Sequence, residues 1–192
     1  MGKTVHIVSV LDRSGSMGGT EAEVIGAYNA YLEDHKKIAK ENKTTFKTTL
    51  ILFDNQYEEV YKKVPIEQTP ELTSDVYKVR GMTAYFDAIG KTINTFEGKE
   101  KVMFFIETDG HENASKEFDA SKIKALVEKK KEDGWDFNFV GADLDSTTVN
   151  KMSQTLGIDP SKTVAFAKSA DGYMTRNAAF SSATTAYVKN NK

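Results

Sequence analysis

Three short segments of the sequence carry side chains that could bind a hard cation. Asp12-Arg13-Ser14-Gly15-Ser16-Met17 sets a carboxylate and two hydroxyls at alternate positions, with Gly15 between the hydroxyls letting the backbone curl. Thr108-Asp109-Gly110 adds a second carboxylate, and Gly81-Met82-Thr83 puts a hydroxyl at the start of a helical pattern. Alternating oxygen donors on a tight loop suit an ion such as Mg2+. Taken singly, Asp12 and Asp109 also fit turn residues and Thr83 fits a helix N-cap. The three segments amount to a metal site if the fold gathers them in one place.

The hydrophobic pattern predicts the elements that would do so. Val5 to Leu11 is nearly all apolar, as a strand covered on both faces is. Thr20 with Glu23 predicts a capping box, and Val24, Tyr28, Tyr31, Leu32, His35, Ile38 and Ala39 then recur at helical spacing, giving a helix over about 20–41. Phe46 to Phe53 predicts a strand, Asp54-Asn55 a turn, and Tyr57 to Lys63 the return strand of a hairpin, whose charges and nearby Pro65 suit a sheet edge. Residues 66–80 read as loop with a short helical turn. Phe86, Ile89, Ile93 and Phe96 predict a helix over 83–97, and Lys101 to Glu107 a core strand. A helix around Ile123, Leu126 and Val127, stopping before Gly134, leads to a strand over Asp136 to Val140. A helix around Val149, Met152 and Leu156, closed by Gly157, leads to a strand over Thr163 to Ala167. Tyr173, Phe180, Ala183, Tyr187 and Val188 mark a closing helix.

This alternation predicts an α/β protein with a doubly wound, mostly parallel six-stranded sheet, one antiparallel edge strand, and helices on both faces. In such sheets ligands bind beyond the carboxyl ends of strands, where the strand order reverses. That rule selects the loops carrying Asp12 and Asp109.

Asp-x-Ser-x-Ser after the first strand, Gly-x-Thr later, and Thr-Asp-Gly after a central strand occur here in the order found in von Willebrand factor A (VWA) domains. Over nearly its whole length the chain resembles that family and its metal-ion-dependent adhesion site. The resemblance implies one Rossmann-like VWA domain over 1–192, of free-standing prokaryotic or phage type, with Mg2+, or Mn2+ or Ca2+, at the top of the sheet. Carried over, Ser14, Ser16 and Thr83 ligate through hydroxyls, and Asp12 and Asp109 directly or through water. In the family a Glu or Asp of a partner protein fills the remaining coordination position. Hydroxyl ligands are uncharged, so the ion stays electron-poor enough to attract that carboxylate. The implied function is a non-catalytic, metal-dependent protein-binding module. Met82 departs from the pattern, since the family often has a second Gly there, and a bulkier loop beside the metal alters access.

Other residues admit further chemistry. A Mg2+-dependent hydrolase of phosphate esters would use Asp109, His111 or Glu112 as base, but no pattern marks a nucleophile or a poised base. His111-Glu112 is not a His-Glu-x-x-His zinc motif, because Ser115 stands at the second His; the pair fits a solvated loop or the rim of a binding site. Asp143 and Asp145 fit rim carboxylates or helix caps, His6 and His35 packing or surface positions, and Lys129-Lys130-Lys131 a dipole-favoured helix end. Gly90-Lys91-Thr92 imitates a P-loop, yet Tyr85 occupies its leading Gly position.

Composition narrows the classes. The 192 residues contain no Cys, which removes disulfides, thiolate metal sites and Cys nucleophiles, so a metal must be held by oxygens or by the three His. Lys plus Arg number 26 against 28 Asp plus Glu, leaving no basic field for nucleic acid or an anionic membrane. The longest apolar run, Val102 to Ile106, is far short of the ~20 residues of a spanning helix. The sequence runs from Met1 almost directly into a strand, and the expectation is a cytoplasmic protein without a signal peptide.

Overall fold

The computed structural model describes residues 4–98 and 100–190. Its elements follow the order β1 (Thr4–Asp12), α1 (Glu21–Asn42), β2 (Thr45–Phe53), β3 (Tyr57–Pro65), α2 (Tyr85–Asn94), β4 (Lys101–Thr108), α3 (Ala120–Glu132), β5 (Asp136–Ala142), α4 (Ser146–Thr155), β6 (Thr163–Phe166) and α5 (Ala170–Asn190). Single 3-10 turns occupy Gly15–Met17, Ile66–Gln68 and Pro160–Lys162.

The six strands form one sheet in the order β3-β2-β1-β4-β5-β6. Every neighbouring pair is parallel except β2 and β3, which makes the hairpin strand the antiparallel edge. From β1 the chain winds outward through β2 to β3, and from β4 outward through β5 to β6. The order therefore reverses between β1 and β4, whose parallel register pairs Leu11 with Glu107.

Pleating sends alternate residues of each central strand to opposite faces. Ile7 and Leu11 of β1 and Phe105 of β4 pack under α1 and α5 with Tyr28, Tyr31, Leu32 and Phe180. Val8 and Val10, with Phe104 and Ile106, pack under α2, α3 and α4 with Ile89, Ile123 and Val149. Burial on both faces explains why these strands are unbroken apolar runs. His35 is buried between α1 and α5: its Nδ1 donates to the Tyr31 carbonyl and its Nε2 accepts from the Thr184 hydroxyl, each at 2.8 Å.

Two helix starts differ from the sequence reading. Thr20 makes no capping bond to α1; its hydroxyl donates instead to the Met17 carbonyl at 2.7 Å, which the 3-10 turn brings within reach. Glu21, rather than Glu23, takes a free amide, accepting from Gly19 N–H at 2.8 Å. Helix α2 begins at Tyr85, two residues later than the periodicity implies. Thr83 is held in a non-helical link by the 113–114 segment, its N–H donating to Asn113 Oδ1 and its carbonyl accepting from Asn113 and Ala114 N–H.

Candidate metal centre

Asp12 closes β1 beside the end of β4, and its side chain is turned inward with 1% of the residue exposed. Its Oδ1 accepts the Ser14 backbone N–H at 2.6 Å and its Oδ2 the Thr108 hydroxyl at 2.6 Å. The carboxylate thus ties the first loop to the second. Tyr77 donates its hydroxyl to the Asp12 carbonyl at 2.6 Å and pins the strand end.

Beyond this anchor the loop rises through Ser14 and Ser16, whose Oγ atoms are 3.2 Å apart, and Ser16 Oγ donates to Asp109 Oδ1 at 2.5 Å. Gly15 N–H donates to the Gly81 carbonyl at 3.1 Å, so the third segment lies directly against the first. Thr83 follows in that segment, almost fully buried. A Cβ placed on Gly110 would stand 3.3 Å from Thr83 Oγ1 and 3.7 Å from Ser16 Oγ. The hydroxyls of different loops therefore converge over the bare Gly110 backbone, which leaves a small oxygen-lined cradle.

Salt bridges brace the cradle from below. Asp54, fully buried, accepts from Arg13 Nε at 3.2 Å and Arg80 Nε at 2.7 Å, while Arg80 N–H donates to the Arg13 carbonyl at 2.9 Å. This clamp holds residue 80 against the first loop and so delivers Gly81 to its turn. Gly81 has φ of +71°, and a Cβ there would lie 2.1 Å from Asn55 Oδ1, so any side chain at this position strains the backbone and forces the Asn55 amide aside. Behind Asp109, the buried Glu107 pairs with the buried Arg176 of α5. The guanidinium lies 4.7 Å from the Phe180 ring centroid, and Asn177 Nδ2 donates to the Ala27 carbonyl at 2.9 Å, locking α5 to α1.

The electrostatics of the cradle call for positive charge. Burial, with a smaller push from Asp109, raises the Asp12 carboxyl to about 6 against the opposing bonds from Ser14 and Thr108. One cation already sits at the rim: Lys168 Nζ donates to Asp109 Oδ2 at 2.8 Å and to the Ser16 carbonyl at 3.0 Å. Among the described residues no group of three or more His, Asp or Glu side chains is placed to hold a metal. Whatever this cluster binds must be met by hydroxyls and two carboxylates. That all-oxygen donor set fits a hard divalent ion.

All five residues singled out in the sequence, Asp12, Ser14, Ser16, Thr83 and Asp109, thus meet at the sheet's carboxyl end. Glu112 does not join them: it accepts from Phe86, Ala114 and Ser115 N–H and from the Ser115 hydroxyl at 2.7–3.0 Å, organising its own loop and the start of α2. His111 is exposed. Asp145 caps α4, its Oδ1 accepting Thr148 N–H at 3.0 Å, whereas Asp143 caps no helix and instead accepts the Lys168 N–H at 2.7 Å. Met82 stands 56% exposed beside Thr83. Sequence reasoning missed Lys168, Arg176 and the Asp54 clamp. Only Glu107 gave a signal, since a carboxylate in a doubly covered strand needs a partner.

Neither a protein-family model nor a curated protein sequence matches the chain. Its three-dimensional structure does have counterparts. Against proximal thread matrix protein 1 from the mussel byssus, in a structure with a zinc-occupied MIDAS motif, the TM-score is 0.66 at 12% identity, covering 96% of this chain and 46% of that one. Against the pilus adhesin SpaC from Lactobacillus rhamnosus GG it is 0.71 at 15% identity, covering 98% and 31%. The vWF domain of the type V pili tip protein Mfa5 from Porphyromonas gingivalis gives 0.64 at 11% identity, covering 94% and 96%. The chain spans about half of the byssus protein's length and about a third of SpaC's. No described helix is long and apolar enough to cross a membrane. The six-stranded sheet with one antiparallel edge, and these counterparts, establish that the chain has the Rossmann-like fold of the von Willebrand factor A domain.

Proposed function

We propose that the chain is a non-catalytic, divalent-metal-dependent protein-binding module with Mg2+ as its resident ion. Ser14, Ser16 and Thr83 offer hydroxyls to the ion, and Asp12 and Asp109 hold it directly or through water. The bound ion supplies an electrophilic position for a Glu or Asp carboxylate of a partner protein. The observation that carries this reading is the convergence of Ser16 Oγ, Thr83 Oγ1 and the Asp109 carboxylate over the Gly110 backbone at the switch point of the sheet.

The residues divide the work between rigidity and reach. Asp12 fixes Ser14 through its backbone and Thr108 through its hydroxyl, so the first and second loops move as a unit. Ser16 is exposed, at the mouth, where an incoming group would arrive. Exposed Met82 gives the mouth an apolar rim. With two carboxylates against a doubly charged ion, a third from outside meets an environment that is not already negative. The metal-occupied site of the byssus protein and the pilus setting of SpaC and Mfa5 support an adhesive role.

Against hydrolysis stands the engagement of two of the three candidate bases: Glu112 accepts four hydrogen bonds, and Asp109 is shared by Ser16 and Lys168, while the third, His111, is exposed on its loop. Affinity capture from the source organism tests the reading, with the chain immobilised in Mg2+ or EDTA and Asp12→Ala as control. A partner retained only in Mg2+ and only by the wild type supports it. Partners indifferent to EDTA, or Mg2+-dependent turnover of a phosphate ester that disappears in Asp109→Ala, would count against it.

A further inference from the structure

Lys168 is not an ordinary surface lysine. It lies on the connection between β6 and α5, two strands away from β4, yet its side chain is only 14% exposed. Its backbone is held on both sides. Asp143, itself in a left-handed turn at φ of 52° with its N–H on the Phe166 carbonyl at 2.7 Å, accepts the Lys168 N–H through Oδ1. On the other side, Ser169 N–H donates to the Ala167 carbonyl at 2.8 Å, and α5 starts so close that a Cβ on Gly172 would lie 1.9 Å from that carbonyl oxygen. The ammonium then has three oxygens around it, Asp109 Oδ2 at 2.8 Å, the Ser16 carbonyl at 3.0 Å and Asp143 Oδ2 at 3.9 Å.

We propose that Lys168 is a built-in counter-ion that competes with the divalent metal and thereby sets the ion concentration at which the site loads. The inference rests on the metal-binding reading above. Asp109 has two oxygens and both are engaged, Oδ1 by Ser16 and Oδ2 by Lys168. An ion seated on Ser16 and Asp109 meets the ammonium at close range, so loading requires Nζ to leave Asp109 or to be tolerated beside a second positive charge. Like charges a few ångströms apart at a protein surface repel strongly enough to weaken binding on the order of tenfold. When no metal is bound, the same ammonium keeps Asp12 and Asp109 from facing each other without a neutralising charge. The site is thus kept folded when empty at the expense of affinity.

Calorimetric titration with Mn2+ tests this on the wild-type chain, Lys168→Met, which keeps the stem and removes the charge, and Lys168→Gln, which also keeps a donor. Thermal unfolding of each in EDTA accompanies the titrations. We expect both uncharged variants to bind Mn2+ about tenfold more tightly than the wild type, and to unfold at lower temperature in EDTA. Lys168→Arg, which restores the charge, should return the affinity toward the wild-type value. Equal or weaker Mn2+ binding by the uncharged variants would overturn the role of Lys168 while leaving the metal site standing. No uptake of Mn2+ by any of the proteins would overturn both.

Discussion

Replacing Asp12 with Asn should stabilise the metal-free protein at neutral pH while abolishing its response to metal. The Asp12 carboxyl is buried beside Asp109, and its pKa rises from 3.8 to about 6. With the folded value above the unfolded one, the folded state binds more protons between about pH 4 and pH 6. Stability therefore falls as pH rises through that window and stays reduced above it, by about 3 kcal/mol. Asparagine removes the charge and keeps Oδ1 for the Ser14 N–H. Its amide group replaces Oδ2, and the Thr108 hydroxyl must turn to accept from it, keeping at most the 3.3 Å contact with the Gly110 carbonyl. Allowing for that weakened bond, Asp12→Asn should gain about 1–3 kcal/mol at pH 7.5 in EDTA, or about 2–12 °C in melting temperature for a chain of this size. The advantage should shrink toward zero at pH 4. In Mg2+ at 100 times its Kd the wild type gains about 2.7 kcal/mol and the variant nothing, which closes or reverses the gap. Thermal and urea unfolding at the two pH values, with EDTA or Mg2+, read all of this. A variant less stable than wild type in EDTA at pH 7.5, or a difference indifferent to pH, would refute the reasoning.

Three further perturbations probe the support of the site. Arg176→Met leaves Glu107 buried without its partner and should lose about 3–5 kcal/mol in urea unfolding, most of it recovered by adding Glu107→Leu; a loss below about 1 kcal/mol would show that the pair does not anchor β4 to α5. Burial holds His35 down at about 4, so its contribution is complete above about pH 6.5 and is lost as pH falls toward 4, by about 3 kcal/mol. Since this opposes the Asp12 effect over the same range, an acid scan of Asp12→Asn in EDTA should fall more steeply than that of the wild type. Gly81→Ala puts a methyl group against Asn55 in a left-handed turn and should lose about 1–3 kcal/mol and weaken Mn2+ uptake by displacing Thr83, measured by urea unfolding and titration.

The sheet was legible because its central strands are covered on both faces and its helices repeat at 3.6 residues, so position along the chain carries the signal. The antiparallel edge was legible from the charges of Tyr57 to Lys63 and from Pro65. The helix starts were not. The Thr20 hydroxyl has an amide and the Met17 carbonyl within reach, and the 3-10 turn decides between them; Thr83 is held by Asn113, 30 residues away. Asp12, Ser14, Ser16 and Asp109 could be picked out because they directly follow the adjacent strands β1 and β4, which leaves little freedom in where they lie; Thr83, at the end of the long connection from the edge strand β3, was legible only through the Gly-x-Thr motif of the VWA resemblance. Lys168 and Arg176 escaped because each acts at the far end of a long side chain, across strands or helices whose spacing a one-dimensional pattern does not contain. Glu112 and Asp143 were recognised as polar groups near the site, but which backbone amides they serve depends on loop geometry alone.

The most direct test of the central claim is a calorimetric titration of the metal-stripped chain with Mn2+, set beside Asp12→Ala and Thr83→Ala. The oxygen cradle predicts one ion per chain, no uptake by Asp12→Ala, and weakened uptake by Thr83→Ala while both variants remain folded. Absence of binding by the wild type, or binding unchanged in Asp12→Ala, would contradict it.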